Sequence, residues 1–144
     1  MYTILLVVII GLAGGMAVGF QGPVASMMSQ RIGMMESIFI IHVGGMVAAL
    51  LPLLAMRGGN LGNWYSLPWY ALAAGVLGLA VFGALSYAIP RVGAATSITL
   101  IVAGQLLVGA LLDHFGLFDT ARPLEIWRIA GLLVIFGGVW LMVR

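Results

Sequence analysis

The chain has no cysteine and no lysine, and only four acidic residues among its 144. The missing cysteines exclude disulfides, thiolate metal centres and cysteine nucleophiles together. The missing lysines leave six arginines as the whole set of permanent side-chain cations. Charged residues make up 7% of the chain, against roughly 25% in an ordinary soluble domain. Such a chain cannot cover a water-facing surface. Its formal charge of +2 rests on scattered residues with no basic run, which excludes nucleic acid as a partner. No HExxH, GxSxG, Walker or dinucleotide-binding motif occurs, and Asp113-His114 stands without a nucleophile or a metal cluster. The reading is therefore of a protein that is not an enzyme and that uses no metal or cofactor.

What is present is apolar. Hydrophobic residues reach 63% and the mean hydropathy is +1.20. A spanning helix needs about 20 mostly apolar residues, and five such stretches fill the chain. They fall at about 2–20, 37–56, 69–89, 92–112 and 126–143. The expected fold is an all-α integral membrane protein, a single domain over 1–144 in a lipid bilayer. Arg57-Gly58-Gly59-Asn60 ends the second span, Pro68 opens the third, Pro90-Arg91 makes a very short link, and Gly116 suits a left-handed cap after the fourth. A polar loop with Asp119, Arg122, Pro123 and Glu125 precedes the fifth. Trp64, Tyr65, Trp69, Tyr70 and Trp127 on one side, and Trp140 near the other, form an aromatic belt. Ala17-Val18-Gly19 resembles a signal-peptidase site, but no Lys or Arg precedes the apolar run, so the first span is expected to be retained.

The first span has two readings. It ends at Phe20, or it extends to about Ser29 with a break at Gly22-Pro23, because Pro23 cannot donate to the Gly19 carbonyl. A break at depth suits a cavity lining. Gly11, Gly15 and Gly19 form a small-residue stripe, expected to serve packing within the subunit rather than a dimer seam.

Arginine fixes orientation poorly here. Threading five spans places Arg57, Arg122 and Arg128 on the side of the N-terminus, and Arg31, Arg91 and Arg144 on the other. Orientation follows the Lys/Arg bias of the loops. An even split lets the chain insert both ways up, and opposite copies can pair as an antiparallel homodimer. That pairing supplies the inverted symmetry that alternating access uses.

Polar residues inside spans are costly and need a reason. Ser97, Gln105, Gly109 and Asp113 share one slowly winding face of the fourth span. The Gln105 carboxamide can donate and accept toward a polar solute. Asp113 either carries a proton or pairs with Arg57, Arg122 or Arg128. Glu36 opens the second span and His42 lies about two turns further in. They are the other candidate ion or proton carriers. Gln21, Pro23, Ser86 and Tyr87 complete the residues that could line a pathway. The fifth span, nearly free of polar residues, reads as a packing or dimer helix.

Several strings then become specific. Gln21-Gly22-Pro23 follows a glycine-rich first helix, and Pro90-Arg91-Val92-Gly93-Ala94-Ala95-Thr96 opens the fourth. Ala103-Gly104-Gln105-Leu106-Leu107, Asp113-His114-Phe115-Gly116 and a closing Gly131…Gly137-Gly138-Val139 come after it. Together they resemble the YdcZ-type family, a five-helix branch of the drug/metabolite transporter superfamily. The resemblance covers essentially the whole chain, and Pro90–Gly116 is its specific part. It implies a multi-pass protein of the bacterial inner membrane, half of a ten-helix inverted-repeat transporter, that exports small organic molecules. It also matches Gln21 and Gln105 to the family glutamines of the first and fourth helices. The chain departs from small multidrug resistance proteins, which carry a glutamate in the first helix, and it has Ser26 where an asparagine is expected. The alternative reading is a non-transporting subunit of a larger membrane complex. A passive channel is a further rival.

Overall fold

A computed structural model describes residues 2–117 and 121–144, apart from the side chain of Leu72; Asp119 of the last loop lies outside them. Every long element is a helix. The order is α1 (Tyr2–Ile32), α2 (Met34–Ala55), a 3₁₀ turn (Leu61–Ser66), α3 (Trp69–Leu72), α4 (Ala74–Val92), α5 (Ala94–Phe115) and α6 (Ile126–Val143). Five segments are long and apolar enough to cross a bilayer, with α3 and α4 together counting as one. Contacts divide the chain into two compact units, Met1–Tyr87 and Ala88–Arg144. In the first unit α1 packs on α2, and in the second α5 packs on α6.

Helix α1 neither ends at Phe20 nor breaks at Gly22-Pro23: it runs continuously for 31 residues, with Pro23 inside it. At 1.5 Å per residue it is about 46 Å long, more than the roughly 30 Å hydrocarbon core, so it must tilt or project. Its second half holds because it is covered. Gly22, Ala25 and Ser26 are buried, and the Ser37 hydroxyl of α2 donates to the Ala25 carbonyl at 3.1 Å. Its first half is exposed throughout, and nothing stands within 4 Å of where a Cβ would lie on Gly11, Gly14, Gly15 or Gly19. Nothing within the first unit packs on the glycine stripe, where packing within the subunit was expected.

Gly33 alone separates α1 from α2, and Gly93 alone separates α4 from α5. Their backbones are alike, φ 104° and ψ 154° at Gly33, φ 84° and ψ 163° at Gly93. A side chain is strained at such angles. Each glycine receives and gives one helical bond. Gly33 N donates to the Ser29 carbonyl and Ser37 N to that of Gly33, and the equivalents are Gly93 to Ile89 and Ser97 to Gly93.

The likeness extends along the chain. Ser26, Arg31, Gly33, Ser37 and Ile38 are matched sixty residues later by Ser86, Arg91, Gly93, Ser97 and Ile98. Helices α2 and α5 keep the same offset at both ends and are each 22 residues long. The buried polar residues among the described ones are Ser26, Ser37, Ser86 and Ser97, all of them repeat positions. The α1–α2 junction and the α4–α5 junction are therefore two versions of one sequence and backbone motif.

Candidate functional site

Most of the polar residues that could do chemistry stand outside this repeat. Gln21, Glu36 and His42 are matched by Val81, Thr96 and Val102, and Gln105 and Asp113 by Gly45 and Leu53. Positions that shape the glycine junctions recur, Ser97 among the candidates with them; these five candidate positions differ.

In the second unit, α5 and α6 enclose a groove of about 430 Å³ that holds Gln105 and Asp113 together. Gly109 and Gly131 leave room between them, and Arg128 of α6 closes the end beside Asp113. One Arg128 nitrogen, Nη1, lies 3.7 Å from Asp113 Oδ2, with both side chains about half exposed. Of the three arginines open to Asp113 in sequence, Arg128 is the ion-pair partner. Arg122 contributes its backbone N–H to the Asp113 carbonyl at 2.8 Å. An acid at a helix C-terminus opposes the helix dipole, and Arg128 offsets this. Gly116 caps α5 in the left-handed conformation, and the Leu124 N–H donates to His114 Nδ1. Ser97, two turns before Gln105 on the same helix, is buried and donates to the Gly93 carbonyl at 2.7 Å. Its hydroxyl serves the junction rather than an open groove. The groove also involves α6, which the sequence placed outside the pathway. Arg128 and the small Gly131 were the signals for it.

In the first unit, Gln21 is exposed on α1, and Pro23, two residues on and near the opposite face, is half-buried. Pro23 has no N–H to give the Gly19 carbonyl, which therefore lacks its usual helical donor. Glu36 lies at the start of α2, exposed, with its carboxylate folded against Gly33. That position favours an acid through the helix dipole and puts Glu36 at the helix end rather than at depth. Tyr87 is exposed near the end of α4, beside the buried Ser86. Ser86 Oγ has no hydrogen-bond partner among the described residues, and Pro90 has no N–H to give the Ser86 carbonyl.

His42 is the most constrained of the candidates. Its Nδ1 lies 2.8 Å from the Ile38 carbonyl. A carbonyl only accepts, so Nδ1 carries the hydrogen and the neutral ring keeps a lone pair on Nε2. The ring meets Phe82 of α4 edge to face, 5.8 Å between centroids. Nε2 faces Gly78, where a Cβ would stand 2.9 Å away. Beside them α2 and α4 form a cleft of about 420 Å³ lined by Met35, Ile38, Phe39, Val76 and Leu79. No group of three or more His, Asp or Glu able to hold a metal occurs among the described residues.

Five apolar helices, a thin buried core and polar side chains at separate points along the spans define a multi-pass membrane protein with solute-sized clefts. The chain belongs to the family described as "Putative inner membrane exporter, YdcZ", whose family model matches residues 6–141. It is 36% identical over 80 residues to the inner membrane protein YdcZ of Escherichia coli (strain K12). That alignment covers 55% of this chain and 53% of the relative, so the chain spans about half the length of the curated relative it matches. No solved structure gives a significant match. The protein is a multi-pass inner membrane protein, as its apolar spans and its family both indicate.

Proposed function

We propose that the protein is a secondary transporter that exports small organic molecules across the inner membrane by alternating access. Two copies inserted in opposite orientations would form the working unit. The family match over residues 6–141 carries the exporter reading. Three further features support the antiparallel pair. The arginines divide evenly between the two ends of the spans. The glycine stripe of α1 is uncovered within the first unit. The third supporting feature is the direction of the internal repeat. Alternate spans run in opposite directions, so spans one and two recur in spans three and four with the same sense. A parallel repeat brings no inversion, and alternating access then draws its inverted half from a second chain.

In this reading Gln105 contacts solute in the α5–α6 groove and Gln21 does so on α1. Tyr87 and Ser97 are lesser contacts. Of the three candidate ion carriers, His42 fits coupling best, because Asp113 already has Arg128 and Glu36 sits at a helix end.

Two experiments test the proposal. A Gly59→Cys variant of this cysteine-free chain, labelled in intact cells with an impermeant thiol reagent, should react to about half the extent seen after lysis. All-or-none labelling refutes dual orientation. In proteoliposomes, Gln105→Leu should abolish gradient-driven flux while leaving the assembly intact. Full flux in that variant refutes the site. Absence of flux from the pure wild-type protein, with a partner co-purifying, would favour the subunit reading instead.

A further inference from the structure

The α2–α4 cleft carries one polar feature in an otherwise apolar lining, and that feature is incomplete. Met35, Ile38, Phe39, Val76 and Leu79 are hydrocarbon, sulfur or aromatic. His42 is held at two points, by Nδ1–H on the Ile38 carbonyl and by the Phe82 ring, and its Nε2 stands against Gly78. This fixes the tautomer as well as the ring. In the neutral form of a ring held this way the lone pair is on Nε2, the atom nearest Gly78, and no donor reaches it among the described residues. Beside apolar walls, such an acceptor is open to a ligand that brings its own donor. Small-molecule sites have this composition, a mostly apolar concavity with a few placed polar groups.

We propose that this cleft binds a small lipophilic molecule bearing one hydrogen-bond donor, and that His42 Nε2 receives the donor. The apolar walls select the body of the ligand, and the lone pair selects an N–H or O–H over a carbonyl or a carboxylate, which cannot donate. Gly78 is a specificity residue here because any Cβ would crowd the accepting nitrogen. The site has no counterpart sixty residues later, where Val102 takes the place of His42. The assignment deepens the exporter reading and rests on that reading for its biological use, but its test does not require flux.

The chain has two histidines, His42 and His114. Nitrogen NMR of histidine-labelled full-length protein in lipid bilayers therefore gives two rings to assign, with His42→Leu identifying its own signals. The expected ligand-free spectrum at neutral pH shows His42 protonated on Nδ1 and bare on Nε2. Indole, an apolar frame with one N–H, should then shift the His42 Nε2 signal and leave His114 unmoved. Naphthalene, similar in size but lacking a donor, should bind about tenfold more weakly, the worth of one hydrogen bond. Gly78→Ala should weaken indole binding while leaving naphthalene binding less affected. A proton on Nε2 in place of Nδ1, or equal binding of the two probes, overturns the proposal. If His42→Leu does not insert, the wild-type tautomer and the probe pair decide alone. Indole binding without transport by the purified protein would refute the exporter reading and leave this site standing.

Discussion

The two single-glycine junctions allow one perturbation to be measured twice in the same molecule. Replacing Gly93 by Ala puts a side chain at φ 84°, in a backbone region that strains any residue with a Cβ, yet nothing lies within 4 Å of that Cβ. The cost is then backbone strain alone, about 1–3 kcal/mol. It is offset by about 0.4–1 kcal/mol because alanine restricts the unfolded chain. A net loss of about 1–2 kcal/mol follows. Gly33→Ala carries the same strain at φ 104° and a second effect, because its Cβ would meet the Glu36 carboxylate. Only the tip of a flexible side chain has to move, but it leaves the start of α2, where an acid contributes about 0.3–1 kcal/mol through the helix dipole. Gly33→Ala should therefore be the more damaging by that amount, and the excess should vanish when both variants are made on a Glu36→Ala background. Equilibrium unfolding in mixed detergent micelles, followed by tryptophan fluorescence, measures all six proteins. A neutral Gly93→Ala would refute the strain assignment. Equal losses at both glycines on the wild-type background would refute the role given to Glu36.

Other outcomes follow from single contacts. Ser37→Ala removes the hydrogen bond to the Ala25 carbonyl and should cost about 1 kcal/mol; Ser86→Ala removes a hydroxyl without a partner and should be neutral or stabilising in the same unfolding assay. Pro23→Ala restores a helical N–H in the middle of α1 and should stabilise by about 1–3 kcal/mol; if the Gly19 carbonyl serves solute, flux in proteoliposomes should fall in that more stable variant. Asp113→Asn breaks a half-exposed ion pair and should change stability by less than about 1 kcal/mol, with any loss of flux then reporting on solute or ion handling.

Much of the membrane architecture was legible because it follows from hydropathy alone. The apolar stretches are long, and glycine and proline punctuate them. The end of α1 was not. The letters left two ends open, Phe20 or about Ser29, and the helix runs on to Ile32 with cover from α2 and the Ser37 bond to Ala25. Tertiary packing there outweighs local composition. The juxtaposition of Gln105, Gly109 and Asp113 was legible from four-residue spacing, because a helix puts such positions on one face. The partner helix was not, since α6 contributes Gly131 and one arginine rather than a polar stripe. That a histidine within a span bonds a backbone carbonyl could be anticipated from its type, but which nitrogen meets the Ile38 carbonyl could not. The sixty-residue recurrence was present in the letters, but the matches are sparse until burial picks out the four serines.

The one-residue junctions also bear on what the surrounding compartments can recognise. At the ends of the spans where Gly33 and Gly93 turn the chain, almost no backbone projects beyond the helices. At the opposite ends lie the longer stretches between α2 and α3 and between α5 and α6. A single orientation would give the membrane one nearly bare face and one decorated face, so that soluble factors could tell the compartments apart. An antiparallel pair would set a bare end beside a decorated end on both faces. Antibodies, proteases or regulatory proteins approaching from either compartment would then meet the same surface.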